Sequence, residues 1–303
     1  MQVYDSVSEI IGKTPLVRLK GFGENLYGKC EFLNPSHSIK DRAAYAMIKK
    51  ALDETHISKE TTIIECTSGN MGISLAMICA TLGLKIILTM PESMSIERRK
   101  MMALFGAKLE LTPASEGMKG AYERALALHK EIKNSFIPSQ FENLANKFAH
   151  RENTAVEILN DLGGKIDYFV AGFGTSGTIS GVGEVLKEKF ADKVKIIAVE
   201  PAASPLLSEG KAGGHKIQGI GANFIPKILN QSVIDEIQTI SNEDAIATAR
   251  ELALKNGLMV GISSGANVFI ASKIAKANPD KIIVTMLNDT AERYLSTDLF
   301  AGI

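Results

Sequence analysis

The sequence has few of the residues that mark disulfide-rich, metal-binding or nucleic-acid-binding proteins. It contains three cysteines, Cys30, Cys66 and Cys79, and no C-x-x-C pair, so we expect reduced thiols in a cytoplasmic protein. Its five histidines are scattered without the spacing of a zinc site, so no bound metal is expected. With 34 basic and 34 acidic residues the net charge is zero, which gives no reason to expect a nucleic-acid partner.

Long apolar runs are also absent. No segment approaches the ~20 continuous apolar residues that a membrane span requires. The first residues lack the basic region and apolar run of a signal peptide. We therefore expect a cytoplasmic protein that has no contact with membranes. The 303 residues are enough for roughly two domains of ~150 residues each.

What the chain does contain is a repeated order of short apolar run, turn and helical pattern. Strands are predicted at 61–66 and 168–171, and a helix at about 177–190. Runs rich in Ile and Val with charges only at their ends predict parallel strands buried on both faces. Two such blocks predict an α/β fold with two doubly wound domains. Because ligands bind at the carboxyl ends of such strands, the turns that follow them are the places to search.

The first candidate turn is 34–42, N-P-S-H-S-I-K-D-R. The Asn-Pro pair marks a turn, and Ser38 with Asp41 resembles a capping box, so a helix is expected to begin here. Lys40 would lie in its first turn, where the helix dipole favours the neutral amine that Schiff-base chemistry requires. On these residues alone, a surface lysine beside Asp41 remains the alternative.

The second candidate turn is 67–72, T-S-G-N-M-G, between a predicted strand and a predicted helix. Its hydroxyls, its amide and the N–H groups of a helix N-terminus could hold a carboxylate or a phosphate. An ordinary turn with a Ser or Thr cap is the alternative. Cys66, just before this turn, is interpreted as a small buried strand residue and not as a nucleophile.

The third candidate turn is 172–178, G-F-G-T-S-G-T, which matches G-x-G-x-x-G between a strand and a helix. Glu200 ends the next strand, as a dinucleotide site requires, so a nicotinamide-dependent enzyme is one interpretation. However, the hydroxyls of Thr175, Ser176 and Thr178 favour a terminal phosphate monoester, which needs many donors, over a bridging pyrophosphate. A plain tight turn is the third interpretation.

The fourth candidate turn is 261–265, G-I-S-S-G, which matches the G-x-S-x-G nucleophile elbow. A hydrolase of that type needs its His after the Ser, yet the last His in this chain is His215, so we reject the hydrolase interpretation. A serine N-cap for a helix that begins at Ala266 is the structural alternative. A serine hydroxyl placed against the ring nitrogen of a cofactor is compatible with it.

In their order and spacing, these turns resemble the cysteine synthases, also called O-acetylserine sulfhydrylases. That family belongs to the tryptophan-synthase-β type (fold type II) of pyridoxal-phosphate (PLP) enzymes. The likeness covers nearly the whole chain and includes I-G-K-T-P-L at 11–16, Q-G-I-G at 218–221 and E-R-Y-L-S-T at 292–297. It implies two mainly parallel α/β domains with PLP in the cleft between them.

The resemblance also implies a role for individual residues. Lys40 would form the internal aldimine, and Asn70 would bond the phenolic oxygen of the cofactor. Ser263 would face the pyridine nitrogen, with Ser264 as the fallback. The cofactor phosphate would be held by Gly174, Thr175, Ser176, Gly177 and Thr178. The substrate carboxylate would be held by Thr67, Ser68, Asn70 and Gln140, with Met71 in the same turn.

The activity implied is a PLP-dependent β-replacement, by a transferase of cysteine biosynthesis. O-acetyl-L-serine and sulfide would give L-cysteine and acetate through an aminoacrylate intermediate, with Lys40 as general base. A neutral serine at the ring nitrogen would leave that nitrogen unprotonated and favour β-elimination over a long-lived carbanion. The close alternative is a cystathionine β-synthase, which would use homocysteine as nucleophile. The remote alternative, an NAD-dependent oxidoreductase, leaves Lys40 and the turn 67–72 unexplained.

The resemblance further implies a domain division and partners. Residues 1–11 and 35–142 would form the smaller, mobile domain. Residues 12–34 and 143–303 would form the domain that binds the cofactor phosphate. A homodimer is expected, and serine acetyltransferase is a possible partner.

Three positions depart from the pattern of that family. Met71 stands where Thr is common, which removes a hydroxyl and adds bulk, so we expect an active enzyme with altered donor affinity or choice. Ser176 stands where Gly is usual, a mild change if its φ angle is negative. Asn288-Asp289-Thr290-Ala291 replaces a more common Pro-Asp-Thr-Gly or Pro-Ser-Ser-Gly turn near the cofactor ring.

Overall fold

The computed structural model describes residues 3–303. The strands are β1 (Leu16–Arg18), β2 (Leu26–Cys30), β3 (Thr62–Cys66), β4 (Lys85–Pro91), β5 (Lys108–Thr112), β6 (Ser135–Phe136), β7 (Tyr168–Gly172), β8 (Lys195–Pro201), β9 (Glu236–Ile240) and β10 (Ile283–Leu287). The α-helices are α1 (Lys40–Asp53), α2 (Asn70–Leu82), α3 (Ile96–Leu104), α4 (Gly117–Glu131), α5 (Leu144–Ala149), α6 (Ala155–Asp161), α7 (Gly177–Phe190), α8 (Leu206–Glu209), α9 (Asn242–Asn256) and α10 (Ile262–Ala277). Among these helices, all within the described residues, none is both long and apolar enough to cross a bilayer.

The first compact unit comprises Lys40–Asn146 and the described residues up to Ile11. Its four strands are parallel and lie in the order β5-β4-β3-β6. Neighbouring residues of β3 point to opposite faces: Ile63 packs in the cluster formed with α1 and α2, and Ile64 packs with α4. Both faces of the sheet are therefore covered by helices, which explains why β3 carries two consecutive isoleucines.

The second compact unit comprises Gly12–Ile39 and Lys147–Ile303. Its six strands lie in the order β1-β2-β10-β7-β8-β9, and only the edge strand β1 is antiparallel to its neighbour. In β7, Phe169 packs in the cluster that contains α7, whereas Val170 packs in the cluster that contains α9 and α10. The predicted α/β class with mainly parallel sheets is confirmed. The parallel order brings the segments after β2, β7, β8, β9 and β10 to one edge of this sheet.

The compact units and the predicted domains place two short segments differently. Residues 35–39 lie in the second unit and 143–146 lie in the first, the reverse of the predicted assignment. The division into a mobile domain and a domain that binds the cofactor phosphate stays a prediction.

Local structure departs from the sequence-based expectation at three elements. The helix α10 begins at Ile262 and not at Ala266, with Gly261 as its N-cap, so Ser263 and Ser264 lie inside its first turn. The run K-I-I-L-T-M at 85–90 predicts a strand that ends before Pro91, yet Pro91 is the last residue of β4. The strand β9 was not predicted, because its sequence E-I-Q-T-I has no apolar run and lies at a sheet edge.

A buried polar contact ties the N-terminal turns of α1 and α2 together. Ser74 Oγ donates a 2.6 Å hydrogen bond to Asp41 Oδ1, and both side chains are fully buried. Asp41 is the second residue of α1, and Ser74 lies one turn into α2. This bond therefore fixes Lys40, the first residue of α1, relative to the start of α2.

We expect Ser74→Ala to lower the free energy of unfolding by about 1–3 kcal/mol, because it leaves a buried carboxylate oxygen without its hydroxyl donor. The control is Thr81→Ala, which removes a half-buried hydroxyl of the same helix that donates to the Met77 carbonyl. Urea unfolding of both variants measures the difference. Equal losses would show that the Asp41 contact contributes nothing specific.

Candidate active site

Lys40 and Asn70 begin two neighbouring helices of the first unit. Lys40 is half-buried and Asn70 is likewise half-buried at the N-terminus of α2, after the Gly69 N-cap. The predicted helix start at Lys40 is confirmed. Because Ser74 and Asp41 tie these two N-terminal turns together, the amine-bearing turn and the turn 67–70 lie side by side.

The turn 67–70 is shaped by close packing beneath it. Thr67 is buried, and its Oγ1 accepts a 3.4 Å hydrogen bond from the Gly69 N–H. A Cβ on Gly72 would stand 3.0 Å from Thr67 Cγ2 and 2.8 Å from Met102 Cε, so a larger residue would press on Thr67 and displace the end of the Met102 side chain. The N-terminus of α2 begins at Asn70, directly after this turn, and helix N-termini are common anion-binding sites.

A buried arginine that was not predicted lies beside the same turn. Arg98, in the first part of α3, is 8% exposed. Its Nη1 lies 3.9 Å from the point where a Cβ on Gly69 would stand. A buried cation at this distance makes the turn 67–70 more attractive to a carboxylate. The sequence has two adjacent arginines here, and nothing in the pattern distinguishes the buried one.

Gln140 is placed by a second buried carboxylate, Glu65 on β3. Glu65 is 5% exposed, and its Oε2 accepts a 2.9 Å hydrogen bond from the backbone N–H of Ser139, which has a positive φ of 56°. Burial raises the pKa of Glu65 from 4.5 to about 7, although backbone N–H bonds, including one from Gln140, oppose the rise. Glu65 therefore holds the strained turn that carries Gln140. In the sequence, the available signal for this role of Glu65 was a charged residue inside an otherwise apolar strand.

Two side chains at or beside the turn 67–72, those of Cys66 and Met71, do not offer a reactive group. Cys66 is half-buried and not fully buried as expected, but desolvation raises the pKa of its thiol to about 12, so it is not an activated nucleophile. Met71 is 2% exposed and packs in the apolar cluster of α1 and α2. Its bulk thus fills the core of the first unit. Whether it alters donor affinity stays a prediction.

In the second unit, the turn 172–178 has the features of a phosphate site. A Cβ on Gly174 would stand 2.4 Å from the Gly219 carbonyl oxygen, so only glycine allows these backbones to approach. Ser176 is buried at the N-terminus of α7, and within the described residues its Oγ is a buried atom without a hydrogen-bond partner. A buried hydroxyl that lacks a partner at a helix N-terminus fits an anionic group with many acceptor oxygens.

The backbone conformation of Ser176 contradicts the expectation that its φ angle is negative. Its φ is +71°, so the condition under which replacing Gly would be mild is not met. The turn into α7 requires the left-handed conformation, which costs a serine roughly 1–2 kcal/mol relative to a right-handed one. The chain keeps both this strain and the unsatisfied Oγ at one position, a combination that is common at binding sites.

A buried histidine that was not predicted supports the same turn. His150 is 2% exposed, and its Nε2 lies 3.3 Å from Thr178 Oγ1 while its Nδ1 lies 3.0 Å from Thr154 Oγ1. It belongs to a π-helical turn, His150–Thr154. A Cβ on Gly181 would stand 2.9 Å from the Arg151 backbone nitrogen and 3.0 Å from His150 Cβ, so α7 packs directly on that turn. His150 thereby orients the Thr178 hydroxyl.

The two serines of α10 have different surroundings. Ser264 is fully buried, and its Oγ accepts a 2.8 Å hydrogen bond from the backbone N–H of Asn288. Ser263 Oγ accepts a 3.0 Å bond from Asn288 Nδ2 and lies 3.6 Å from the point where a Cβ on Gly219 would stand. Gly219 therefore lies between Ser263 and the turn that contains Gly174. This arrangement favours Ser263 over Ser264 as the group that meets a bound ring.

The rival dinucleotide interpretation fails at Glu200. Glu200 is fully buried, and its carboxylate accepts hydrogen bonds from the backbone N–H groups of Leu207 (2.8 Å) and Ser208 (3.1 Å). It caps the start of α8 and does not face a ribose site. In contrast, the Gly174 cradle, the Ser176 hydroxyl and Ser263 together fit a phosphate joined to an aromatic ring, as in PLP. No cluster of His, Cys, Asp or Glu that could hold a metal occurs in residues 3–303.

The raised pKa of Glu65 makes stability depend on pH. The folded protein keeps this proton up to about pH 7, whereas the unfolded chain releases it near pH 4.5. Stability therefore falls as pH rises through this window. We expect the wild-type free energy of unfolding, relative to that of Glu65→Gln, to fall by on the order of 3 kcal/mol across it. Urea unfolding of cofactor-free protein at a series of pH values measures this, with the exposed Glu60→Gln as control. A constant difference would contradict the assignment.

Comparison with known proteins shows the family to which the chain belongs. The family described as pyridoxal-phosphate dependent enzyme matches residues 7–289. Cysteine synthase B of Campylobacter jejuni is 70% identical over 301 residues, which cover 99% of this chain and 100% of that protein. The solved cysteine synthase of Entamoeba histolytica has a TM-score of 0.95 and 42% identity, covering 99% of this chain and 91% of its own.

A third similar protein is the O-acetylserine dependent cystathionine β-synthase of Helicobacter pylori. Its structure has a TM-score of 0.92 and 38% identity, covering 99% of this chain and 100% of its own. The expected cofactor and enzyme class are confirmed by these matches. The chain belongs to the family of pyridoxal-phosphate dependent enzymes.

Proposed function

We propose that the chain is a cysteine synthase, which converts O-acetyl-L-serine and sulfide to L-cysteine and acetate. The observation that carries this proposal is the pairing of an amine with an anion-binding turn: Lys40 and the turn 67–70 begin two helices that the Ser74–Asp41 bond ties together. A 70% identical relative over nearly the whole chain is a cysteine synthase.

The proposed roles follow from the chemistry that each group offers. Lys40 attaches the cofactor and, once displaced by the substrate, its neutral amine removes the proton from the substrate Cα. Bound PLP supplies an electron sink for the pair left on Cα. That pair forms a double bond between Cα and Cβ as the bond from Cβ to oxygen breaks, and acetate departs with the electrons of the broken bond. Sulfide then forms the new bond to Cβ, and Lys40 returns the proton to Cα.

The substrate carboxylate is held by the groups around the α2 N-terminus. We assign this role to Thr67, Ser68, Asn70 and Gln140, with Arg98 providing positive charge behind the turn. Fixing the carboxylate orients the Cα proton toward the Lys40 amine. These groups therefore determine the orientation of the substrate as well as its affinity.

The cofactor is held by the second unit. We assign its phosphate to Gly174, Thr175, Ser176, Gly177 and Thr178, and its ring nitrogen to Ser263. A neutral serine donates a hydrogen bond to an unprotonated nitrogen, unlike an aspartate, which would hold that nitrogen protonated. The ring is then a weaker electron sink, which suits β-elimination.

A second candidate nucleophile is homocysteine, as in a cystathionine β-synthase. It is supported by the 38% identical Helicobacter pylori protein, whose fold matches this chain with a TM-score of 0.92. Supplying sulfide and homocysteine to the enzyme in the presence of O-acetylserine and identifying the product decides between them. A homodimer in the cytoplasm, and docking of a serine acetyltransferase, are further parts of the proposal that rest on the family resemblance.

We expect Lys40→Ala to abolish the visible absorption of the PLP-loaded protein and to lower activity by about 1,000-fold or more, because it removes both the attachment point and the general base. Lys49→Ala, on the exposed side of the same helix, is the control and should behave as the wild type. Absorption spectra with and without O-acetylserine, and cysteine formation with sulfide, are the measurements. A wild-type protein that stays colourless after incubation with PLP would overturn the proposal.

We expect Met71→Thr to lower the free energy of unfolding by about 1–3 kcal/mol, because a polar, smaller side chain replaces a buried apolar one. The matched control is Met77→Thr in the same helix and the same apolar cluster. If Met71 also affects donor affinity, only Met71→Thr changes the KM for O-acetylserine. A normal KM that is unchanged in Met71→Thr would refute altered affinity.

A further inference from the structure

We propose that Asn288 is a positioning residue, whose side-chain amide turns the Ser263 proton toward the unprotonated ring nitrogen of the bound cofactor. This inference rests on the proposed function, in which Ser263 meets the pyridine ring. It assigns a task to one of the positions at which this chain departs from the pattern of the cysteine synthases.

Asn288 is the first residue after β10, and its side chain and backbone both form hydrogen bonds within the second unit. Its Nδ2 donates a 3.0 Å hydrogen bond to Ser263 Oγ, and its backbone N–H donates a 2.8 Å bond to Ser264 Oγ. Its carbonyl oxygen accepts a 2.8 Å bond from the N–H of Ile39, the residue before Lys40. With its backbone held on both sides, the amide has little freedom to leave Ser263.

The direction of the bond determines what Ser263 can do. A serine hydroxyl has one proton and two lone pairs, so an N–H donor that occupies a lone pair leaves the proton to be given elsewhere. Receiving one hydrogen bond also strengthens the bond that the same hydroxyl donates. A hydroxyl proton directed at the ring favours the unprotonated nitrogen, because a protonated one would need an acceptor in that place.

The residue that the resemblance leads us to expect at this position could not do this. Proline has no side-chain donor for Ser263 and no backbone N–H for Ser264. Asn288 supplies both. An aspartate would keep the backbone N–H but would replace the side-chain donor with an acceptor. The carboxylate of Asn288→Asp accepts the Ser263 proton and leaves an oxygen lone pair facing the ring, which favours the protonated nitrogen.

The test uses the full chain loaded with PLP that carries nitrogen-15 in its ring, whose NMR shift reports whether that nitrogen is protonated. We expect an unprotonated nitrogen in the wild type and a shift toward the protonated form in Asn288→Asp. Asn288→Ala, which keeps both backbone bonds, should give an intermediate signal and a cofactor dissociation constant raised about 3- to 10-fold. Asn160→Asp, an equal change of charge at an exposed position of α6, should match the wild type.

The outcomes separate this inference from the proposed function. A wild type that binds no PLP removes both. A wild type that binds PLP with a protonated ring nitrogen, or variants at Asn288 whose ring signal equals that of the wild type, overturns the role of Asn288 and leaves the cysteine synthase proposal standing. The wild-type signal needs no substitution, so the inference remains falsifiable even where a variant fails to fold.

Discussion

The candidate site depends on one constraint, the start of a helix directly after a buried parallel strand. The N–H groups of the first helical turn have no partner inside the helix, so each such turn presents donors to a ligand. This happens in the first unit between β3 and α2 and in the second between β7 and α7. Glycines make it possible, because Gly72 and Gly174 stand where a Cβ would collide with its neighbours.

The helix N-termini of the two units are surrounded by different chemical groups. In the first, the α2 N-terminus lies beside Lys40 and near the buried Arg98, an arrangement suited to an amino-acid carboxylate next to a neutral amine. In the second, the α7 N-terminus carries a cluster of hydroxyls, and Gly219 separates it from Ser263. Two buried polar groups, Glu65 and His150, and the half-buried Asn288 hold in place the side chains and turns to which we assign the chemistry.

Local pattern was enough to predict several of the elements, although not β9 or the start of α10, and it did not predict the contacts that orient side chains. The helix 177–190 and the helix start at Lys40 were predicted and are found, because turn chemistry and periodicity are local. Glu65 lies 74 residues from its partner Ser139, and His150 lies 28 from Thr178, separations that no periodicity encodes. The burial of Met71 was equally hidden, since α2 is apolar on all sides and its sequence does not show which side faces the core.

Every other assignment depends on the proposal that Lys40 holds the cofactor. Reducing the PLP-loaded protein with borohydride makes the bond between lysine and cofactor permanent, and chymotryptic digestion with mass spectrometry then locates it. We expect a phosphopyridoxyl group on the peptide that contains Lys40 and on no other lysine. A label on a different lysine, or none in a protein that has bound PLP, would contradict it.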